Sequence, residues 1–379
     1  MTVNRPPMGW NTWNTFGSKI SDKLVRESAD RFVSLGLKKA GYQYVVIDDC
    51  WSEKTRDPKT DRLVANPKLF PHGMKDLADY IHGKGLKFGM YSCNGQRTCA
   101  DFPGSFDHEY LDAETFAAWG VDYLKYDNCF RAEGIKSELL YRRMGMALRA
   151  SGRDIVFSAC NWGSDDVWSW IRSAGAHLYR STGDIFDNPV SYREIAESQL
   201  KKLGTSAPGC YNDFDMLTVG MYGKGLVGTT GCNEDDYRTQ FSLWCMCSCP
   251  LMLGCDIRSM DEKTLKLVTN KDLIRIDQDA EARPPMCSMR EQDENGFAPS
   301  LTLFKMLDDG ACALGLFNMS DKDRNVYAVF SDYGIPAAAG YDLELKNVFT
   351  QKKERVREYV NKPVKAHGCE VYIVKLVKR

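Results

Sequence analysis

Short apolar runs in this sequence end repeatedly in side chains that can do chemistry. Trp10 and Trp13 lie at the end of run 8–13, Asp48 and Asp49 at the end of 44–49, and Tyr91 at the end of 87–91. Lys125 and Asp127 close run 123–127, Cys160 and Asn161 lie at the end of 155–160, and Arg180 ends 177–180 with Asp184 just beyond. Asp213 and Asp215 fall in run 213–219, and Asp256 in run 251–257. Aromatic faces can stack on a sugar ring while carboxylates and an ammonium take its hydroxyls. Two further carboxylates on different strands would then suit glycoside hydrolysis, one ionised to attack or to activate water, the other protonated to release the leaving group. Acid-rich sites also serve metal-dependent isomerases and aldolases. A metal would want histidine beside the carboxylates, and only His177 falls among these residues, so no metal and no cofactor is expected.

Each of these groups needs an element to aim it. Helical stretches ending at Gly36, Gly85, Gly120, Gly152 and Gly175 precede five of the runs, and glycine suits the left-handed residue that closes a helix. In one stretch Met74, Leu77, Ala78 and Ile81 share a helix face. Asp112 is the expected N-cap of a helix over 113–119, and Ser137 of one over 138–150. Short apolar strands fit a parallel sheet covered on both faces. Eight strand–helix units in about the first 280 residues predict a (β/α)8 TIM barrel over residues 1–283, with its chemistry at the C-terminal strand ends. A doubly wound open sheet is the alternative, but the Gly-rich turn it normally carries after the first strand is missing. Residues 281–285 read as a linker. Beyond it, runs 301–306 and 311–317 flank the hairpin signal Asp308-Asp309-Gly310, and 326–330, 341–345 and 370–376 are further strands. Residues 284–379 are therefore expected to form a C-terminal antiparallel β-sandwich domain with a packing role.

The 379 residues are 43% hydrophobic and carry 50 basic against 51 acidic side chains, a net charge of −1. That balance argues against nucleic acid as a partner, and the apolar content against an acidic disordered chain. No run approaches the length of a membrane span. The first residues lack the apolar core of a secretion signal, so the expected location is the cytoplasm, or outside the cell had a signal been trimmed. Cys245, Cys247 and Cys249 have no histidine or second cysteine pair at ligand spacing, and read as small buried hydrophobes in a reducing compartment.

Taken together, Met8-Gly-Trp-Asn-Thr-Trp13, Ile47-Asp-Asp-Cys-Trp51, Phe70-Pro-His-Gly73, Phe102-Pro-Gly-Ser-Phe106, Leu124-Lys-Tyr-Asp-Asn-Cys129, Arg180-Ser-Thr-Gly-Asp184 and Asn212-Asp-Phe-Asp-Met-Leu217 closely resemble glycoside hydrolase family 27, which contains the α-galactosidases or melibiases. The motifs stand in family order across the barrel. The resemblance implies retaining hydrolysis of terminal α-D-galactosyl residues on small carbohydrates, with Asp127 as nucleophile and Asp184 as acid/base. It places Asp48 and Asp49 on O4 and O6 of galactose, Lys125 on a hydroxyl, Arg180 near the 2-hydroxyl side, and Trp13 and Tyr91 as pocket walls. Cys160 and Asn161 would face the 2-position, where relatives that accept N-acetylgalactosamine carry small residues. The alternatives within the family are α-N-acetylgalactosaminidase or mixed specificity, β-L-arabinopyranosides included. Asp215 counts among the substrate-binding residues, although it and Asp213 read mainly as support. Trp10 reads as core, Cys50 as packing and His177 as a satisfied strand residue. The resemblance also implies a disulfide between Cys99 and Cys129, whereas Ser18 replaces the usual partner of Cys50. Phe214 stands where proline is common and Asp277 where asparagine is common, with the chemistry expected to survive both. Such barrels are compatible with a homo-oligomer. Lys125 is expected to keep Asp127 ionised with a low pKa, because side chains two apart on a strand point the same way. Asp184 needs a raised pKa to hold its proton.

Overall fold

A computed structural model describes residues 3–288 and 298–379. Eight parallel strands form its first sheet: β1 (Met8–Asn11), β2 (Tyr44–Val46), β3 (Lys87–Cys93), β4 (Tyr123–Asp127), β5 (Val156–Cys160), β6 (Leu178–Arg180), β7 (Tyr211–Asp213) and β8 (Leu251–Leu253). Neighbours in sequence pair side by side, and β1 also pairs with β8. The ring closes at a bridge between Leu217 and Leu253, where Leu217 N–H donates to Met252 O at 2.8 Å and Gly254 N–H to Leu217 O at 2.9 Å. The result is the expected TIM barrel.

Several runs are extended over less of their length than their apolar character suggests. Run 213–219 is not one strand. Asp213 ends β7, Asp215 takes a left-handed φ of 82°, and Leu217 resumes pairing on the other side. The break has a local cause: Asp215 N–H donates to the Asp213 carboxylate at 2.9 Å and Met216 N–H to the Asp215 carboxylate at 2.7 Å. Such side-chain bonds compete with the sheet ladder for the backbone. Similarly, Asp48 and Asp49 lie just past β2, and Trp13 opens a helical turn after β1.

The barrel helices bury the predicted apolar faces. In Gly73–Gly83 the buried residues are Met74, Leu77, Ala78 and Ile81. Two cap assignments are corrected. The helix Glu109–Trp119 begins before Asp112, and Asp112 is instead fully buried against Arg56, whose two Nη atoms donate to it at 2.7 and 2.8 Å. Ser137 is the first residue of Ser137–Ala150 rather than its cap, and its hydroxyl turns inward to Asn128.

The last barrel helix ends at Asp277, and the first antiparallel strand, β9, begins at Met286. With β10 (Ser300–Met306), β11 (Cys312–Asn318), β13 (Tyr341–Asn347), β14 (Lys353–Val356) and β16 (Cys369–Lys378) it makes a six-stranded sheet. Strands β12 (Arg324–Val329) and β15 (Tyr359–Val364) form a two-stranded ribbon over it. Phe304, Leu314, Leu316, Val326, Val360 and Val374 fill the space between the two. The opposite face of the large sheet, through Leu303, Ala313, Phe317 and Ile373, joins the barrel core at Phe241, Trp244 and Met246. Lys305 crosses this seam fully buried and donates to Ile276 O at 3.0 Å. Burial drives the Lys305 ammonium and the neighbouring Asp277 carboxyl toward their neutral forms. Cys245, Cys247 and Cys249 are buried free thiols in the same core.

The Asp112 correction carries a measurable consequence. A lost cap costs about 1 kcal/mol, whereas a buried carboxylate taken from its arginine costs about 3 kcal/mol. Urea unfolding of Asp112→Ala is expected to show the larger loss, with the unfolding slope unchanged.

Candidate active site

The register of the barrel stacks one layer of side chains at its C-terminal mouth. Cys93 lies beside Asp127, Asp127 beside Cys160, Cys160 beside Arg180, and Arg180 beside Asp213. One layer below, Tyr91 pairs with Lys125 and Lys125 with Ser158. Alternation points all of these into the barrel.

On one side of the mouth sits an ion pair. Asp48 Oδ2 receives Lys125 Nζ at 2.8 Å and Asn11 Nδ2 at 2.7 Å. Asp49 is held without a cation: Cys50 N–H at 2.7 Å, Thr98 Oγ1 at 2.9 Å and Ala100 N–H at 3.0 Å all donate to its carboxylate. Sequence reading missed Asn11, Thr98 and the backbone of Ala100. Asn11 stood within a quoted motif, and two-residue alternation from Gly9 would have aimed it inward; the loop that carries Thr98 left no periodic signal.

Asp127 is buried between the two halves of the site. Tyr91 Oη donates to its Oδ2 at 3.0 Å and Asn128 N–H to its Oδ1 at 2.9 Å. Burial pushes its carboxyl up to about 6, and the opposing pull of Lys125 does not cancel this. The expected low pKa is therefore corrected. The ammonium donates to Asp48, not to Asp127, so desolvation wins. The sulfurs of Cys99 and Cys129 are at disulfide distance, their Cα atoms 5.3 Å apart, and an Asp127 oxygen lies within 4.8 Å of both sulfurs.

The other side is organised by Arg180, which is 4% exposed. Its Nη1 meets Asp215 at 2.9 Å and its Nη2 meets Asp184 at 2.8 Å, with Thr182 O accepting at 3.1 Å. Its Nε has no hydrogen-bond partner among the described residues. The Asp184 side chain is 66% exposed and gives only one oxygen to this pair. Partial burial pushes its carboxyl up, but Arg180 outweighs that and holds it below the usual range. The expected raised pKa is corrected: the guanidinium donates directly to this carboxylate and favours its charged form. Behind Arg180, Asp213 is pushed up to about 6 by burial.

Asn161 is fully buried, and neither its amide nitrogen nor its side-chain oxygen has a hydrogen-bond partner among the described residues. Trp13 is half-buried against the cluster that contains Met216 and Met252, and its backbone N–H donates to Asn11 Oδ1 at 2.8 Å. Three residues near the strand ends stand apart from the cluster. Trp10 is core, its Nε1 donating to Cys255 O at 2.8 Å. His177 accepts from Phe157 N–H at 2.9 Å within the sheet. Asp256 leaves the mouth to cap a short turn and to bind Arg258 at 2.8 Å. Cys50 is buried and unbridged.

Comparison with known proteins places this geometry. The family model described as alpha galactosidase A matches residues 5–279. An alpha-galactosidase of Cyamopsis tetragonoloba is 41% identical over 97% of this chain and 86% of its own length. The crystal structure of alpha-galactosidase I from Mortierella vinacea superposes with a TM-score of 0.89 at 31% identity, covering 99% of this chain and 98% of that one. The structure of alpha-galactosidase from Saccharomyces cerevisiae with raffinose gives 0.88 at 27% identity, over 99% of this chain and 98% of that one. With a matching family model, close relatives along nearly the whole chain and the same barrel beneath them, the chain belongs to the melibiase family of alpha-galactosidases and is a glycosidase.

Proposed function

We propose that the protein hydrolyses terminal, non-reducing α-D-galactosyl residues of small carbohydrates by double displacement. Asp127 would attack the anomeric carbon as Asp184 passes its proton to the glycosidic oxygen, so that the aglycone leaves as an alcohol and a galactosyl ester forms. Asp184 would then take a proton from water, whose oxygen displaces Asp127 and restores the free enzyme. The observation that carries this reading is the pairing of environments at the barrel mouth: a carboxylate enclosed beside a tyrosine and a lysine, and an exposed carboxylate held by Arg180 with one oxygen uncommitted.

The remaining groups fit substrate. Lys125 and Asp48 form a ready donor–acceptor pair, Asp49 is pre-oriented by three donors, and Tyr91 and Trp13 supply flat walls. Asn161, next to Cys160 at the end of β5, carries both a donor and an acceptor, which suits a 2-hydroxyl. A seated sugar would exclude water from Asp184 and draw Arg180 onto a hydroxyl, and both changes raise the Asp184 pKa toward what a general acid needs. We read residues 1–283 as the catalytic domain, 284–379 as its packing partner, and Cys99–Cys129 as a closed bridge that braces the mouth at Asp127. The buried, unbridged cysteines elsewhere support the cytoplasm as location.

Turnover of an aryl α-galactoside, with no more than trace turnover of the matching α-N-acetylgalactosaminide, is the expected result; the reverse preference would overturn the galactose assignment. Asp127→Asn is expected to lower kcat on both melibiose and aryl substrate by more than about 1000-fold. Asp184→Asn should cost melibiose about 100-fold or more and an activated aryl galactoside far less, because only the poor leaving group needs the proton. Because Asp184 sits below the usual carboxylate range and Asp127 at about 6, the productive form is the minor singly protonated one, and the alkaline limb of kcat/KM should fall near pH 6. Lys125 lowers that value, so Lys125→Met should move the limb to higher pH, and an unmoved limb would remove Asp127 from the role. Thiol titration of the denatured, unreduced protein should find two fewer thiols than the fourteen cysteines of the sequence, with the full number appearing after reduction.

A further inference from the structure

The two oxygens of the buried Asp49 carboxylate are unequally occupied. Oδ1 accepts from Cys50 N–H and from Thr98 Oγ1, whereas Oδ2 accepts from Ala100 N–H alone. A carboxylate oxygen has two lone-pair sites, so Oδ2 keeps one for a ligand hydroxyl. The direction of that free site is set by the Ala100 peptide.

Ala100 lies at the tip of a loop between β3 and the helix Glu109–Trp119. Across the tip, Thr98 N–H donates to Phe102 O at 2.8 Å and Phe102 N–H to Thr98 Oγ1 at 3.1 Å, and Asp101 takes a left-handed φ of 64°. These bonds shape the tip without attaching it to the segment that carries Asp49. Two further attachments hold it. The Cys99 sulfur lies at disulfide distance from Cys129, and Lys54 reaches over the tip from the other side. Lys54 Nζ donates to Ala100 O at 2.9 Å and to Asp101 O at 2.8 Å, and stands 3.6 Å from the centre of the Phe102 ring.

Lys54 belongs to the same segment as Asp49, a few residues further on. That segment is tied down by Glu53 N–H on Val64 O at 2.8 Å and by a bridge between Ser52 and Ala65. The Ala100 residue is thus gripped from both sides by one stretch of chain, its N–H by Asp49 and its C=O by Lys54. Bonds from an ammonium are stronger than neutral ones, and the ring beneath adds to the hold. Water could satisfy the two carbonyls in its place, but it would not fix where the tip sits.

We infer that Lys54 is a positioning residue for substrate recognition: from the protein surface it fixes the Ala100 peptide, and through that peptide the free oxygen of Asp49. This rests on the proposed galactosidase reading, in which Asp49 takes a galactose hydroxyl, and adds the residue that orients it.

The test uses the full-length protein and an aryl α-galactoside. Lys54→Met keeps an apolar stem over the Phe102 ring and removes the ammonium. It is expected to raise KM about 10-fold with kcat within about twofold of the parent's. Lys54→Arg, which can donate to both carbonyls, should stay within about threefold of the parent. Lys59→Met, at an exposed lysine of the same loop, should behave as the parent. A double variant separates positioning from general support of the loop. Asp49→Ala alone should cost more than Lys54→Met, and adding Lys54→Met to it should cost less than about twofold more. A full repeat of the loss in the Asp49→Ala background would overturn the inference. So would a loss confined to kcat, no loss at all, a Lys54→Arg variant as poor as Lys54→Met, or the same change in Lys59→Met. Each of these outcomes leaves the galactosidase reading intact. If the parent protein released no aryl alcohol, that underlying reading would fall and the inference with it.

Discussion

The guanidinium of Arg180 is the charge around which one half of the site is built. A buried cation without partners is too costly to keep, and here two carboxylates share it, Asp215 from behind and Asp184 from the mouth. Asp215 can reach Arg180 only because the seventh strand stops at Asp213 and turns through a left-handed residue. The same turn gives the Asp215 carboxylate its grip on Ile185 N–H, which fixes the loop that carries Asp184. The break in β7 therefore lets a carboxylate from that strand fix both Arg180 at the end of β6 and the following loop that carries Asp184.

The other half obeys the same constraint with the opposite result for its carboxylate. Lys125 is committed to Asp48, which leaves Asp127 with a tyrosine hydroxyl, a backbone N–H and an enclosed position. Each cation thus forms its direct ion pair with a neighbour rather than with the enclosed Asp127. The two proposed catalytic carboxyls are displaced in opposite directions, one upward by enclosure and one downward by its guanidinium. Both displacements depend on water and on the hydroxyls within reach, the two things that a sugar ring changes on entry.

Alternating apolar runs closed by glycine-ended helices made the barrel readable, because strand and helix periods are local properties of the chain. Asp48, Asp49, Lys125, Asp127, Arg180 and Asp184 were readable as a group because a barrel brings strand ends together whatever the loop lengths. What stayed hidden depends on contacts distant in sequence. Asp112 has the look of a cap until Arg56, 56 residues away, is seen on it. Asp256 has the look of a site residue until Arg258 turns it aside. Strands Lys353–Val356 and Tyr359–Val364 escaped because they are edge strands: one is heavily charged, and the other contains Pro363, and neither shows the apolar alternation of a central strand. Asp127 differs from expectation because a sequence gives proximity of charge without depth of burial, and Asp184 because the direct contact that lets Arg180 outweigh burial is seen only in the fold.

Asn161 and Arg180 Nε raise the question of what the fold gives up to hold this site. A buried polar atom without a partner costs about 1–3 kcal/mol, and among the described residues Asn161 Nδ2, Asn161 Oδ1 and Arg180 Nε are three such atoms. Folding alone does not explain their retention, since a smaller or apolar residue at 161 would remove two of them. A ligand that supplies both a donor and an acceptor there would recover the loss on binding. One that lacks the matching hydroxyl would leave them stranded, and unmet buried groups discriminate far more strongly than a missing apolar contact. On the proposed galactosidase reading, selectivity at the sugar's 2-position would come from the enzyme's own unmet hydrogen bonds as well as from steric exclusion.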